Sequence, residues 1–152
     1  MSKFYVTTPL YYVNDTPHIG HAYTTILADV LARYHRILGE EVFFLTGTDE
    51  HGQKVAQTAD KLGITPQEVT DKYSEKFREV LPLFNISNND FIRTTEDRHK
   101  ETCQVIWKKL EEAGAIYLDK YAGWYAVRDE AFYGDDELTD GPDTDTKIAP
   151  SG

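Results

Sequence analysis

Residues 3–47 carry the pattern that most limits how this chain can fold. Residues 3–8, KFYVTT, alternate and are rich in β-forming side chains, which predicts a strand. From about residue 18 to residue 38, apolar side chains recur every three or four positions, which predicts a helix that ends at Gly39. The run EVFFLTG at 41–47 is almost continuously apolar, as is typical of a strand buried on both faces. This order predicts a right-handed, parallel βαβ unit and therefore an α/β fold.

The following segment continues the alternation of helices and strands. A helix is predicted over about residues 51–62, and a capping box with the sequence TPQE at 65–68 predicts another helix that extends to about residue 83. Residues 91–95, FIRTT, predict a short strand, after which Thr95 is expected to cap a helix that ends near residue 114.

The last third of the sequence has a different character. Two aromatic-rich extended runs, 115–121 and 123–133, meet at Gly123 and predict a β-hairpin. Residues 134–152 are rich in Gly, Asp and Pro and have no core-forming pattern, so a loop, a linker or disorder is expected there.

Composition indicates a globular protein of the cytoplasm. The chain is 40% hydrophobic, with ten Tyr and seven Phe, which is enough for a core. No stretch approaches the roughly 20 apolar residues of a membrane span, so no membrane partner is expected. The first residues, MSKFYVTT, lack the apolar region of a signal peptide. A single cysteine, Cys103, excludes an internal disulfide.

Charge is unevenly distributed along the chain. The formal net charge is -10, and residues 129–145 contain eight acids without a Lys or Arg, leaving 18 acids and 16 bases elsewhere. A strong nucleic-acid interface requires a basic patch, and none is evident. This segment is therefore not expected to bind RNA strongly by itself.

A first candidate site lies where the predicted first helix begins. A helix start favours anions because its backbone N–H groups are unpaired and carry partial positive charge. His18 and His21 are three positions apart and can donate to the same phosphate, while Gly20 leaves room for a base or sugar against the backbone. The alternative is that the two histidines only cap the helix.

A second candidate site follows the strand at 41–47, in the string TGTDEHG. Ligands of parallel α/β sheets bind beyond the carboxyl ends of strands, where both candidate sites are expected to lie. Asp49 could meet an ammonium group, or it could simply be the N-cap of the next helix. A third hypothesis joins His18, His21, Asp49 and His51 as ligands of zinc or iron in a hydrolase.

Longer strings extend these two sites and resemble a known family. The string TPLYYVNDTPHIGHAY, followed about 25 residues later by FLTGTDEHGQK, is very similar to the opening of methionyl-tRNA synthetases. It contains the HIGH motif of class I aminoacyl-tRNA synthetases, and the similarity continues through FIRTTEDRH and YAGWYAVRDEAFY. By contrast, the dinucleotide motif GxGxxG is missing from the first βα loop, and no P-loop is present.

The resemblance implies a role for individual residues. His18, Gly20 and His21 would bind ATP, with His18 and His21 catalytic, while Leu10, Tyr12 and Asp49 would bind methionine. The HIGH region would comprise Tyr11, Tyr12, Val13, Asn14, Asp15, Thr16, Pro17, His18, Ile19, Gly20 and His21. The implied activity is a methionine–tRNA ligase that uses ATP and Mg²⁺ to make methionyl-adenylate and charge tRNA(Met). A binding module without catalytic activity is the alternative.

The resemblance also implies a domain plan and its limits. Residues 1–115 would be the N-terminal half of a Rossmann-like class I catalytic domain, and 116–152 the acidic, incomplete start of an inserted connective domain. Many family members carry a CxxC zinc knuckle where this chain has Ala126 and Asp129, so no structural zinc is expected. The KMSKS loop and the parts that contact most of the tRNA are absent, so the isolated 152-residue segment is expected to be inactive.

Overall fold

The computed structural model describes residues 2–143 and 145–152, which form two compact units. The first unit, residues 1–107, holds a parallel sheet and its helices; the second, residues 108–152, holds two small antiparallel strand pairs. The strands of the first unit are β1 Lys3–Thr7, β2 Tyr11–Tyr12, β3 Glu41–Asp49 and β4 Asp90–Arg93. The helices are α1 Ile19–Ile37, α2 Gln53–Leu62, α3 Pro66–Leu83 and α4 Asp97–Glu112, and the boundary between units falls within α4.

Strand β3 is the centre of the sheet, and all of its pairings are parallel. Along one side β1 pairs with the first half of β3, and β2 pairs with its last two residues, Tyr11 opposite Thr48 and Tyr12 opposite Asp49. On the other side β4 pairs with Leu45–Thr48. The predicted βαβ unit and the α/β class are confirmed.

The helices α1 and α3 lie on the same face of the sheet. Phe44 and Thr48 are four positions apart on β3, so their side chains point to the same face. Phe44 is fully buried with Ala28 and Ala32 of α1, and the Thr48 hydroxyl lies 3.2 Å from that of Ser74 in α3. This arrangement follows from two right-handed crossovers that run in the same direction. The strand period therefore places Gly47 and Asp49 on the opposite face.

Gly47 allows β4 to approach β3 closely at the end of the sheet that bears the candidate sites. A Cβ atom at this position would lie 2.0 Å from the carbonyl oxygen of Ile92 and 2.7 Å from its Cγ2. Ile92 is the residue paired with Gly47 across the two strands. Any side chain at position 47 would therefore push the two strands apart.

Most predicted helix ends are confirmed, with two corrections. The capping box at Thr65 and Glu68 forms in both directions. However, α2 begins at Gln53 rather than at residue 51. Thr95 does not cap α4, which begins at Asp97, because the Thr95 hydroxyl donates to the Glu50 carboxylate instead. No helix in the described part of the chain is both long and apolar enough to cross a membrane.

The second unit differs from the predicted hairpin and loop. The antiparallel hairpin lies wholly within the second aromatic run, with β5 Trp124–Ala126 paired to β6 Ala131–Tyr133. Residues 115–121 form no strand, since the turn occurs inside 123–133 rather than at Gly123. The tail predicted to be irregular contains a 3₁₀ turn, Asp135–Glu137, and an antiparallel pair of β7 Thr139–Asp140 with β8 Lys147–Ile148.

Candidate functional site

Two histidines cap the N-terminus of α1 in a reciprocal arrangement. His18 is the N-cap residue, and its Nδ1 accepts a hydrogen bond from the Gly20 N–H at 3.1 Å. In turn, His21 Nδ1 accepts from the backbone N–H of His18 at 3.1 Å. The two rings stack with their centroids 3.8 Å apart. Both histidines do cap the helix, but only with one ring nitrogen each.

The capping contacts determine which nitrogen of each ring carries the proton. Because each Nδ1 accepts a backbone N–H, the proton of the neutral ring must lie on Nε2. Two Nε2–H donors therefore accompany the partial positive charge of the helix start.

Burial lowers the pKa of His21, and the charge of His18 lowers it further. His21 also contacts the edges of Tyr11 and Phe77, with centroids 4.8 and 5.0 Å away.

An open cleft of about 520 Å³ runs along the HIGH region. This volume lies within the range of small-molecule sites. The cleft is lined by most of the residues that the sequence singled out: Pro9, Leu10, Tyr11, Tyr12, Asn14, Asp15, Thr16, His18 and His21. The structure thus brings Leu10 and Tyr12 to the same cavity as the two histidines.

Asp49 lies beside Tyr12 at the carboxyl end of the sheet. The two residues are paired across β2 and β3, and the Lys54 ammonium lies 5.1 Å from the Tyr12 ring centroid. Gly52 is the N-cap residue of α2, so the interpretation of Asp49 as a helix cap is wrong. Within residues 2–143 and 145–152, no group donates a hydrogen bond to the Asp49 carboxylate. This half-buried anion is therefore available to a cationic ligand.

The metal hypothesis has no geometric support. The described residues contain no group of three or more His, Cys, Asp or Glu side chains arranged to hold a metal ion. His51 Nε2 lies 3.3 Å from the Thr94 carbonyl oxygen, to which it donates, whereas His18 and His21 are engaged with each other at the start of α1. The four proposed ligands thus do not form one cluster.

A buried ion pair beside Asp49 was missed by the sequence reasoning. The Glu50 side chain is fully buried and accepts from Arg93 Nε at 2.7 Å and from Arg93 Nη2 at 2.9 Å. It also accepts from the hydroxyls of Thr48, at 2.7 Å, and of Thr95. Burial alone would raise the pKa of Glu50, but the hydrogen bonds from Arg93, Thr95 and Thr48 outweigh it and lower the pKa. An acid and an arginine at the ends of neighbouring predicted strands were the only indication in the sequence.

Comparisons with known proteins indicate one family. The sequence matches the family model for tRNA synthetases class I (M) over residues 4–149. The methionine–tRNA ligase of Rickettsia typhi is 56% identical over 151 residues, which is 99% of this chain and 29% of that protein. The corresponding ligase of Rhizobium meliloti is 58% identical over 136 residues, or 90% of this chain and 26% of the relative.

A solved structure is similar to nearly the whole chain. Mycobacterium tuberculosis methionyl-tRNA synthetase in complex with methionyl-adenylate superposes with a TM-score of 0.89 at 43% identity. The match covers 98% of this chain and 29% of that structure, so the chain spans less than a third of the length of these relatives. The family model covers nearly all of the sequence. The chain therefore belongs to the tRNA synthetases class I (M).

Proposed function

We propose that this chain is the N-terminal part of a methionine–tRNA ligase. Such an enzyme activates methionine with ATP to form methionyl-adenylate and then transfers the methionyl group to tRNA(Met). The observation that carries the proposal is that His18 and His21, each with Nδ1 accepting a backbone N–H at the helix start, line the same cleft as Leu10 and Tyr12. The names of the relatives and the methionyl-adenylate in the similar structure support it.

The first half-reaction suits the start of α1. A methionine carboxylate oxygen attacks the α-phosphorus of ATP, and the bond to the bridging oxygen breaks to release pyrophosphate. Negative charge on the phosphoryl oxygens is then stabilised by the Nε2–H groups of His18 and His21 and by the helix N-terminus. Gly20 would contribute to the ATP site through its backbone, and its lack of a side chain leaves room for the His18 ring, since a Cβ atom there would lie 2.9 Å from His18 Cε1. Positioning and electrostatic stabilisation carry most of such a reaction, and no covalent nucleophile is needed.

Mg²⁺ fits this reaction as part of the nucleotide substrate. Proteins commonly bind Mg²⁺ through one or two carboxylates together with substrate phosphates. The ion would enter as the ATP complex, held mainly by the substrate phosphates. The absence of a structural zinc stays a prediction, which elemental analysis of the purified protein can check.

Asp49, Leu10 and Tyr12 are proposed to hold methionine. The Asp49 carboxylate would accept the substrate ammonium, because it is half-buried and accepts no hydrogen bond from a described residue. Tyr12 is paired with Asp49 across the strands, and Leu10 lines the same cleft as Tyr12; both would offer apolar surface to the thioether side chain. The carboxylate would bind the ammonium group of methionine, and the apolar surface beside it would contact the thioether side chain.

The remaining partners follow from the same proposal. tRNA(Met) would bind mainly through parts of the enzyme beyond this chain, since the net charge here is -10. An enzyme that charges tRNA for translation would work in the cytoplasm.

Amino-acid-dependent exchange of pyrophosphate into ATP tests the proposal in the protein at its natural length. We expect exchange with methionine and little with leucine or valine. Exchange with another amino acid, or none with any amino acid, would show that the proposed activity is wrong. Binding of methionine and ATP without exchange would instead indicate a binding module.

A further inference from the structure

We propose that Glu50 and Arg93 are positioning residues that hold Asp49 where it can receive the substrate ammonium. The inference rests on the proposed function, because it concerns how the methionine site is built. Neither residue is proposed to touch substrate. Both act through the backbone at the end of β3.

The carboxyl end of β3 is anchored to β4 by a dense set of contacts around Glu50. Arg93 makes a two-point ion pair with the Glu50 carboxylate, at 2.7 and 2.9 Å. The Glu50 backbone N–H donates to the Thr94 hydroxyl at 2.9 Å, and the Thr94 N–H donates to the Thr48 carbonyl at 3.3 Å. Because both backbone and side chain of Glu50 are held, the peptide between residues 49 and 50 has little freedom.

Asp49 depends on this anchor because nothing else in the described chain holds its carboxylate. Its side chain lies on the face of β3 opposite to Thr48, whose hydroxyl donates to Glu50. With no donor to Asp49 among residues 2–143 and 145–152, its position is set by its own backbone and by strand β2 alongside. A rotation of the strand end would thus move the carboxylate directly.

The ion pair also controls the charge near the ammonium site. Arg93 is neutralised by Glu50 and by Asp71, whose Oδ1 lies 2.6 Å from Arg93 Nη2. The hydrogen bond with Glu50 is the main reason that the pKa of Arg93 is raised. If Glu50 lost its charge, Asp71 alone would balance Arg93, and the region near the strand end would carry one negative charge fewer. The substrate ammonium would then be attracted less strongly to this end of the sheet.

Replacing a buried ion pair by apolar groups is often neutral or stabilising, so such a pair is weak evidence for stability alone. A position that must be held rigidly within a site is a better reason for this arrangement. The contacts of Glu50 make the end of β3 rigid, and the Asp49 side chain extends from the opposite face of that strand.

The test uses Glu50→Gln in the protein at its natural length, assayed by methionine-dependent pyrophosphate exchange. We expect the KM for methionine to rise roughly tenfold or more and the KM for ATP to change less than twofold. In an Asp49→Ala background the same substitution should raise the methionine KM no further, because its effect passes through Asp49. Asp90→Asn is the matched control, since it breaks the Asp90–Arg98 ion pair at the opposite end of β4 and should leave both KM values unchanged.

Thr95→Val is a milder second variant, which removes one hydroxyl contact to Glu50 at nearly constant volume. It should raise the methionine KM in the same direction by a smaller factor. Equal rises in both KM values, or an undiminished effect in the Asp49→Ala background, would overturn the inference and leave Glu50 a structural residue. Lack of methionine-dependent exchange in the unsubstituted protein would instead refute the proposed function.

Discussion

The two nitrogens of His18 have separate roles in the structure, and substitutions can separate them. Nδ1 caps α1 by accepting from the Gly20 N–H, whereas Nε2–H is proposed to donate to the phosphoryl group. Asn is a strong N-cap whose side-chain oxygen can replace Nδ1, but it has nothing in the place of Nε2. His18→Asn should therefore preserve the helix start and remove the donor. His18→Ala should remove both.

The expected sizes differ for the two functions. Loss of one donor to transition-state charge should lower the rate of adenylate formation by about 10²–10³ in both variants. Loss of the cap costs about 1 kcal/mol, which corresponds to roughly fivefold faster amide exchange in the first turn of α1. This second effect is expected in His18→Ala and not in His18→Asn.

Single-turnover adenylate formation and hydrogen–deuterium exchange of the first turn of α1 provide the two measurements. The KM for methionine should hardly change in either variant. If His18→Asn formed adenylate at the original rate while His18→Ala did not, the residue would serve only as a helix cap, and the proposed role of Nε2 would be wrong.

Four further outcomes are expected. Asp49→Ala should weaken methionine binding by about 10–100-fold and ATP binding little, since a hydrogen bond to a charged group contributes about 1.5–3 kcal/mol. Equal rises in the KM values for methionine and ATP would refute its role. Gly47→Ala should destabilise the first unit, because the new Cβ would lie 2.0 Å from the Ile92 carbonyl oxygen; an unchanged melting temperature would contradict that close approach. The hydrogen bond from Arg93 lowers the pKa of Asp71, so the stabilising effect of this carboxylate is complete above its ordinary value of 3.8 and is lost as the pH falls through the lowered pKa. Asp71→Asn should therefore be less stable at neutral pH and should begin to unfold at a higher pH on acidification followed by circular dichroism; an unchanged onset would contradict this. The segment 1–152 alone should self-associate, because β1 has no partner on its outer side among the described residues and Tyr5, Ile19 and Tyr23 are exposed. It should also not aminoacylate tRNA. A monomer by gel filtration, with normal exchange activity, would contradict this.

Local sequence patterns were sufficient to predict most helices and strands of the first unit. The spacing of apolar residues predicted α1, and the continuous apolar run predicted β3, because each pattern reflects the geometry of a single element. The capping box at Thr65 was equally readable, since its two partners are three positions apart. The placement of His18 and Asp49 near the carboxyl end of the sheet followed from the βαβ topology alone.

Short antiparallel pairings were less predictable. The aromatic runs of the second unit suggested strands, but the turn between β5 and β6 occurs inside the second run. A hairpin register depends on cross-strand packing and turn geometry, which a composition rich in Tyr and Trp does not specify. The pair β7–β8 has only two residues in each strand, too few to leave a periodic pattern.

The chemistry of individual side chains depended on contacts between distant parts of the chain. Glu50 and Arg93 are 43 positions apart, and only the register of β3 with β4 brings the carboxylate to the guanidinium. Thr95 could cap a helix or donate to Glu50, and it donates to Glu50 because a hydrogen bond to a buried charged group contributes more than a helix cap. Local periodicity thus specifies which elements form. The buried ion pair of Glu50 and Arg93, which we propose positions Asp49, exists only once those elements have packed.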